Sequence, residues 1–441
     1  MRTATLTSAL CLALLSPALG AEPLSRAQVV EAALAANPDV VMALEDLAIL
    51  RGRGREALAD ALPEIQLLGI AQRFRDPALL NSSSFDAFPP ELRDSLAPIP
   101  ANLYDGMVTV RQTLFSFRLG AAIRAARHAI HLGEEQVRQA RQDVALEAVH
   151  AYDAYLLALA KVDVAGKALR QKQVHLENAR NRRAAGVATE LDVLRSEVDV
   201  ENARALRIRF EGEAAEAAAT INAVMVRDVD TPIEPTDSLD YEPFDVELQA
   251  LVKEAWAERP EVKAALATEK AYEEFVTVAR ADGRPRLDFD GSFGWSVRQT
   301  GNFFQGDYQR WAAQVKLTVP LFDGWRTRGK VAQAQAEVGK RRQETRALDN
   351  RVRLQAQQAV TRLRSAKSLL EAAELSVTQA RRALEMTQAN YKAGAATTLD
   401  VLDAQAALTL AESTRVEALH AHAGARAFAR YVMGRSPLAG N

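Results

Sequence analysis

The chain has 441 residues, a net charge of −2 and a single cysteine, with a pI near 6.4. It lacks the basic footprint expected of a nucleic-acid binder, and a charged fraction of 25% is ordinary for a folded protein and argues against disorder. Aromatics are sparse at 6%, and Ala, Leu and Arg are the most frequent residues, which is the composition of long helices.

Residues 1–20 read as a secretory signal, with Arg2 as the positive end, Leu6–Leu15 as a short apolar core and Ala18-Leu19-Gly20 as the cleavage site. Cys11 lies inside the apolar core and not after the cleavage point, so no lipid anchor and no disulfide are expected. No later stretch is apolar for long enough to form a transmembrane helix, so a membrane location would have to rest on β-strands.

A first half spans 21–229. Leu24–Ala36 has a short helical pattern, and a second helix starts at Pro38, proline being tolerated in a first turn. Within that helix Gly52-Arg53-Gly54-Arg55-Glu56-Ala57 formally fits a dinucleotide-binding glycine pattern, but no strand precedes it and no βαβ unit surrounds it. Strands are expected at about 64–74 and 103–113, separated by a long loop over Asp76–Ala101 that is rich in Pro, Ser and Asn. From Phe117 to Val229 there is no proline. One helix can run from about Leu119 to Gly186, roughly 100 Å at about 1.5 Å per residue. Its spacing of Tyr155, Ala158, Val162, Ala165, Leu169, Leu176 and Ala179 is that of a coiled coil. The chain bends at a tip, 182–194 (RRAAGVATELDVL), and returns.

Residues 230–244 hold Pro232, Pro235 and Pro243 and read as a linker. A second half, 245–435, then repeats the first. Arg259-Pro260 echoes Asn37-Pro38, and Pro285 echoes Pro63. Strands are expected at about 286–298 and 308–319. A second long helix with Leu363, Leu370, Val377 and Leu384 on one seam leads to a second tip, 390–403, which begins NYKAGAATTLDVL. Residues 436–441 form a tail. The matched tips make the chain a tandem duplication.

All four strands alternate apolar with polar residues and have about the length that crosses a bilayer when tilted. Four strands cannot close a barrel, and an open edge in lipid leaves backbone groups unsatisfied. Closure therefore needs several chains.

These features resemble the TolC family of outer-membrane efflux proteins. The residues that carry the resemblance are Asn37-Pro38, Ala57…Ala61-Leu62-Pro63, Pro320-Leu321-Phe322-Asp323-Gly324, and the tips Arg182…Gly186…Leu191-Asp192-Val193-Leu194 and Tyr391…Gly394…Leu399-Asp400-Val401-Leu402. The resemblance implies a mainly α fold with a transmembrane β portion. Long helical hairpins would form an α-helical barrel below a twelve-stranded β-barrel shared by a homotrimer. It implies an exit duct in the outer membrane, with its helical tunnel in the periplasm, that works with a periplasmic adaptor and an inner-membrane transporter. It implies no enzyme activity and no cofactor. Arg182, Gly186, Leu191, Gly394 and Leu399 would meet the adaptor. Asp400 and Asp403 would form a periplasmic gate, and Asp192 and Tyr391 would hold neighbouring helix pairs closed. Crowding of three copies would raise the carboxylate pKa values; the alternative is that both aspartates are solvated helix-start residues. Two positions depart from the pattern. Ala396 stands where some members carry a basic residue, and Arg195 occupies the place in the first tip that Asp403 holds in the second.

No catalytic constellation is present: there is no cysteine nucleophile beyond the signal, no nucleophile elbow and no phosphate-cradling loop. His128 and His131 lie one turn apart and read as helix surface, and His420 and His422 do not face each other on a helix. The competing reading is a soluble periplasmic coiled-coil scaffold without transport activity.

Overall fold

A computed structural model describes residues 22–75, 89 and 100–438. The signal segment and most of the expected loop over 76–101 lie outside the described residues. In chain order the elements are β1 (Glu22–Leu24), α1 (Arg26–Ala36), α2 (Pro38–Ala59), β2 (Glu64–Phe74), β3 (Ala101–Ser116), α3 (Phe117–Ala184) and α4 (Glu190–Val224). Then come β4 (Ile233–Pro235), α5 (Leu248–Glu258), α6 (Pro260–Ala281), β5 (Arg286–Val297), β6 (Gln309–Thr318), α7 (Arg326–Lys392) and α8 (Thr398–Val432). Pro38 and Pro260 are the first residues of α2 and α6, where a missing N–H costs no helical bond. Among the described residues no helix is long and apolar enough to cross a membrane.

The chain divides into two compact units, each drawn from both halves of the sequence. One comprises residues 45–134 and 264–346, the other 1–44, 135–263 and 347–441.

The first unit carries an antiparallel four-stranded sheet in the order β2-β3-β5-β6. Its register sorts the side chains by polarity. Leu67, Val108, Phe293 and Trp311 face one another in a row across all four strands, and Ile65, Val110, Gly291 and Ala313 form the next row on that face. On the opposite face Glu64, Arg111, Asp290 and Gln314 line up. There Asp290 sits 3.8 Å from the Arg111 guanidinium and accepts a hydrogen bond from Gln314 at 3.4 Å. Away from Trp295, where the Phe304 ring packs at 5.0 Å, this apolar face is open, with Leu67 83% exposed and Trp311 72%. β3 is longer than the alternation predicts: it continues past a register shift between Thr113 and Phe115 and leads straight into α3. The helical segments of this unit are tied by ion pairs. Arg124 grips both oxygens of Glu274 at 2.8 Å, and Arg342 reaches Glu273 at 2.7 Å.

The second unit has a core of small and β-branched side chains. Val29, Val30 and Ala33 of α1 pack with Val144, Ala148, Val149 and Tyr152 of α3 and with Ile221 of α4. A short parallel ribbon, β1 with β4, is pinned to this core. The Tyr152 hydroxyl donates to the Leu24 carbonyl at 2.8 Å and the Tyr155 hydroxyl to the Ile233 carbonyl at 3.1 Å. Burial pushes the Tyr152 phenol up to about 12, so it remains a donor. The heptad residues Leu363, Leu370, Val377 and Leu384 of α7 are all buried, with Ala366 and Ala373 buried between them. Ala418 and Leu419 of α8 close over Leu370 and Ala373. Alanine at the seam lets helix axes approach closely, which a larger side chain would prevent. Buried charges here are paired, among them Asp153 with Arg26 at 2.7 Å, and Arg259 with Glu261 at 2.8 Å and Gln355 at 2.6 Å.

Candidate functional site

The two tips, in the second unit, are built alike. α3 ends at Ala184, and Gly186 takes φ +75°. The Gly186 N–H donates to the Arg183 carbonyl and the Val187 N–H to the Arg182 carbonyl, both at 2.9 Å. α7 ends at Lys392, and Gly394 takes φ +77°. Here the Gly394 N–H donates to the Tyr391 carbonyl at 3.1 Å and the Ala395 N–H to the Asn390 carbonyl at 2.8 Å. This bond pair closes a helix through a left-handed residue, a conformation glycine adopts without steric cost.

Each returning helix opens on a reciprocal cap. The Asp192 N–H donates to the Thr189 hydroxyl at 3.2 Å, and the Thr189 N–H donates to the Asp192 carboxylate at 2.9 Å. Asp400 and Thr397 repeat the arrangement at 3.3 Å and 2.7 Å. Hydrogen bonds from Thr189, backbone first and then hydroxyl, hold the Asp192 carboxyl below its ordinary value. The Thr397 hydroxyl and then its backbone N–H do the same for Asp400. Within one chain, then, both aspartates serve as helix-start residues. Asp403 is exposed one turn further along α8.

Thr398, buried at the start of α8, joins the hairpins. Its hydroxyl lies 3.4 Å from the Tyr391 hydroxyl, and a hydrogen bond from it further lowers Asp192. Arg182 crosses from the first hairpin to the second. Its guanidinium sits 4.4 Å from the centre of the Tyr391 ring and donates to the Tyr391 carbonyl at 3.3 Å. The His175 ring, two turns earlier on α3, is 5.7 Å from that of Tyr391. Three residues named from sequence, Arg182, Asp192 and Tyr391, therefore meet in one cluster. Asp400 bonds to Thr397 instead. Leu191 and Leu399, at the first turns of the returning helices, are each about half exposed, at 54% and 52%.

Thr398 and His175 were not singled out from sequence. Thr398 occupies the place that Glu190 holds in the first tip, so the departure between copies was its signal. His175 carried none, because its neighbours come from α7.

Comparisons with known proteins extend over most of the chain. A family model described as outer membrane efflux protein matches residues 29–225 and 251–428. Outer membrane protein OprJ of Pseudomonas aeruginosa is 26% identical over 385 residues, covering 86% of this chain and 77% of OprJ. The alkaline protease secretion protein AprF of the same organism is 26% identical over 341 residues, covering 75% and 69%. The crystal structure of the CmeC outer membrane channel of Campylobacter jejuni matches with a TM-score of 0.80 at 15% identity, over 93% of this chain and 85% of that one.

Proposed function

The chain belongs to the outer membrane efflux protein family, and from that premise we propose a homotrimer whose three sheets close one barrel and whose hairpins dock a periplasmic adaptor. The protein is an outer-membrane exit duct, its helical tunnel lying in the periplasm. Its cargo arrives from an inner-membrane pump, and the duct is passive.

One observation carries the trimer: among the described residues, β2 and β6 each pair on one side only. Their outer edges leave backbone N–H and C=O groups that would cost several kcal/mol each in lipid, on the order of the penalty for any unsatisfied group there. Pairing β6 of one copy with β2 of the next satisfies both. Three copies of a four-stranded sheet give twelve strands, within the range of closed outer-membrane barrels. The register supports the same reading, with its apolar rows toward lipid and its charged rows toward the lumen. A soluble periplasmic scaffold would need a layer over Leu67, Phe293 and Trp311, and none is present among the described residues.

In this assembly Asp400 and Asp403 crowd around the three-fold axis as the periplasmic gate. Asp192 and Tyr391, joined through Thr398, hold the hairpins of each chain together. The tips Arg182, Gly186, Leu191, Gly394 and Leu399 receive the adaptor, the half-exposed leucines being apolar surface that a partner would cover. Native mass spectrometry of full-length protein in mild detergent tests the trimer. A three-chain mass is expected; a monomer with undiminished β content by circular dichroism would overturn it.

A further inference from the structure

A cleft of about 490 Å³ opens between the hairpins beside the Arg182–Tyr391 contact, lined from α3, α7 and α8. That volume is in the range of small-molecule sites, about 300–1,000 Å³. Two of its side chains stand out. His175 and Gln405 are 5% and 3% exposed, and His175 Nε2 and Gln405 Oε1 are both buried without a hydrogen-bond partner. One such orphan costs about 1–3 kcal/mol, so two at one cleft point to groups that a ligand supplies. Burial pushes His175 below its ordinary 6.5; Asp199 pulls the other way and Arg182 adds to the lowering. The ring is therefore neutral at neutral pH, with one nitrogen a donor and the other an acceptor.

The charge in the cleft is one-sided. Arg182 and Lys392 line it, and among the described residues no carboxylate does. The nearby Arg180 and Arg183 are each paired with a glutamate, Glu197 and Glu190. Arg182 and Lys392 have no such partner among the described residues. Arg182 spends one N–H on the Tyr391 carbonyl, which leaves four of the five guanidinium donors. Val174, Val187 and Val401 supply an apolar wall.

We propose that this cleft binds a small hydroxylated organic acid. Its carboxylate is held by Arg182 and Lys392 with His175 Nε2 donating, its hydroxyl donates to Gln405 Oε1, and its hydrocarbon part lies against the valines. An inorganic anion would satisfy the cations but leave the apolar wall and the Gln405 acceptor unmet. Because the lining comes from both hairpins, the bound acid is a contact between them. The site lies within one chain and does not depend on the trimer.

Calorimetric titration of full-length detergent-solubilised protein tests this with mandelate, which carries a carboxylate, a hydroxyl and an apolar ring. Phenylacetate lacks the hydroxyl, benzyl alcohol the carboxylate and inorganic phosphate the hydrocarbon. Saturable mandelate binding is expected, with benzyl alcohol and phosphate at least about tenfold weaker, the equivalent of about 1.4 kcal/mol. Lys392→Met, at an exposed position, should weaken mandelate by a similar factor, and Gln405→Leu should remove its advantage over phenylacetate. Lys340→Met, at another exposed site on α7, should change nothing. Absent saturation, phosphate binding as tight as mandelate, or equal loss in Lys340→Met would each overturn the proposal. Failure of the trimer to form would leave it standing.

Discussion

Removing the Arg182 guanidinium isolates what holds the two hairpins of a chain together. Arg182 contributes a cation–ring contact to Tyr391 at 4.4 Å and a hydrogen bond to the Tyr391 carbonyl at 3.3 Å. A cation over an aromatic face that water still reaches is worth about 0.5–1 kcal/mol. A hydrogen bond at the long end of the distance range adds about 1 kcal/mol. Arg182→Ala should then cost about 2 kcal/mol of hairpin pairing, which shifts the ratio of separated to joined tips about thirtyfold. Single-channel recording in planar bilayers reads this as a rise in open fraction. Arg182→Lys keeps a cation for the ring but loses the planar fork, so its open fraction should fall between the two. An Arg182→Ala open fraction indistinguishable from that of the unmodified protein would show that the contact couples nothing, and the reasoning would fail.

The tip glycines can be tested against a glycine elsewhere. Gly186→Ala and Gly394→Ala force a side chain into φ +75° and +77° and should each destabilise by about 1–2 kcal/mol, seen as faster amide exchange at the tips. Gly339→Ala, inside α7 with nothing near the added methyl, should instead stabilise by about 1 kcal/mol in thermal unfolding. The Asp400 cap is pH-dependent in a defined direction. Its carboxyl is lowered from 3.8 in the folded chain, so its contribution is complete above that value and is lost as pH falls through the lowered one. Amide exchange at the start of α8 should accelerate only in that acid window. Replacing Asp400 and Asp403 together with Ala should weaken block of conductance by multivalent cations, and undiminished block would remove both from the gate.

The elements written in local chemistry were the legible ones. Strict alternation in Arg286–Val297, proline at the start of α2 and α6, and a glycine followed by Leu-Asp-Val-Leu at both tips each act within a few residues. What depended on neighbours distant in sequence was not legible. The continuation of β3 past Thr113 depends on its pairing with β5 across a register shift. The meeting of Arg182 with Tyr391 was open only in part: sequence placed both residues at tips, but not the guanidinium over the ring. Asp400 carries two messages: its spacing from Asp403 fits a shared helix face, and its carboxylate also accepts from Thr397, a bond that the Thr-Thr-Leu-Asp order encodes as directly.

The bare edges of β2 and β6 bear on how such a channel could come into being. A lone copy has two of them; a pair joined side by side still has two, one at each end. Recruiting a second copy therefore leaves the species no better suited to hydrocarbon than before, and only the arrival of the third abolishes both at once. Under the trimeric reading, insertion behaves as a single concerted event, and incomplete rings belong in the aqueous periplasm until the last member joins.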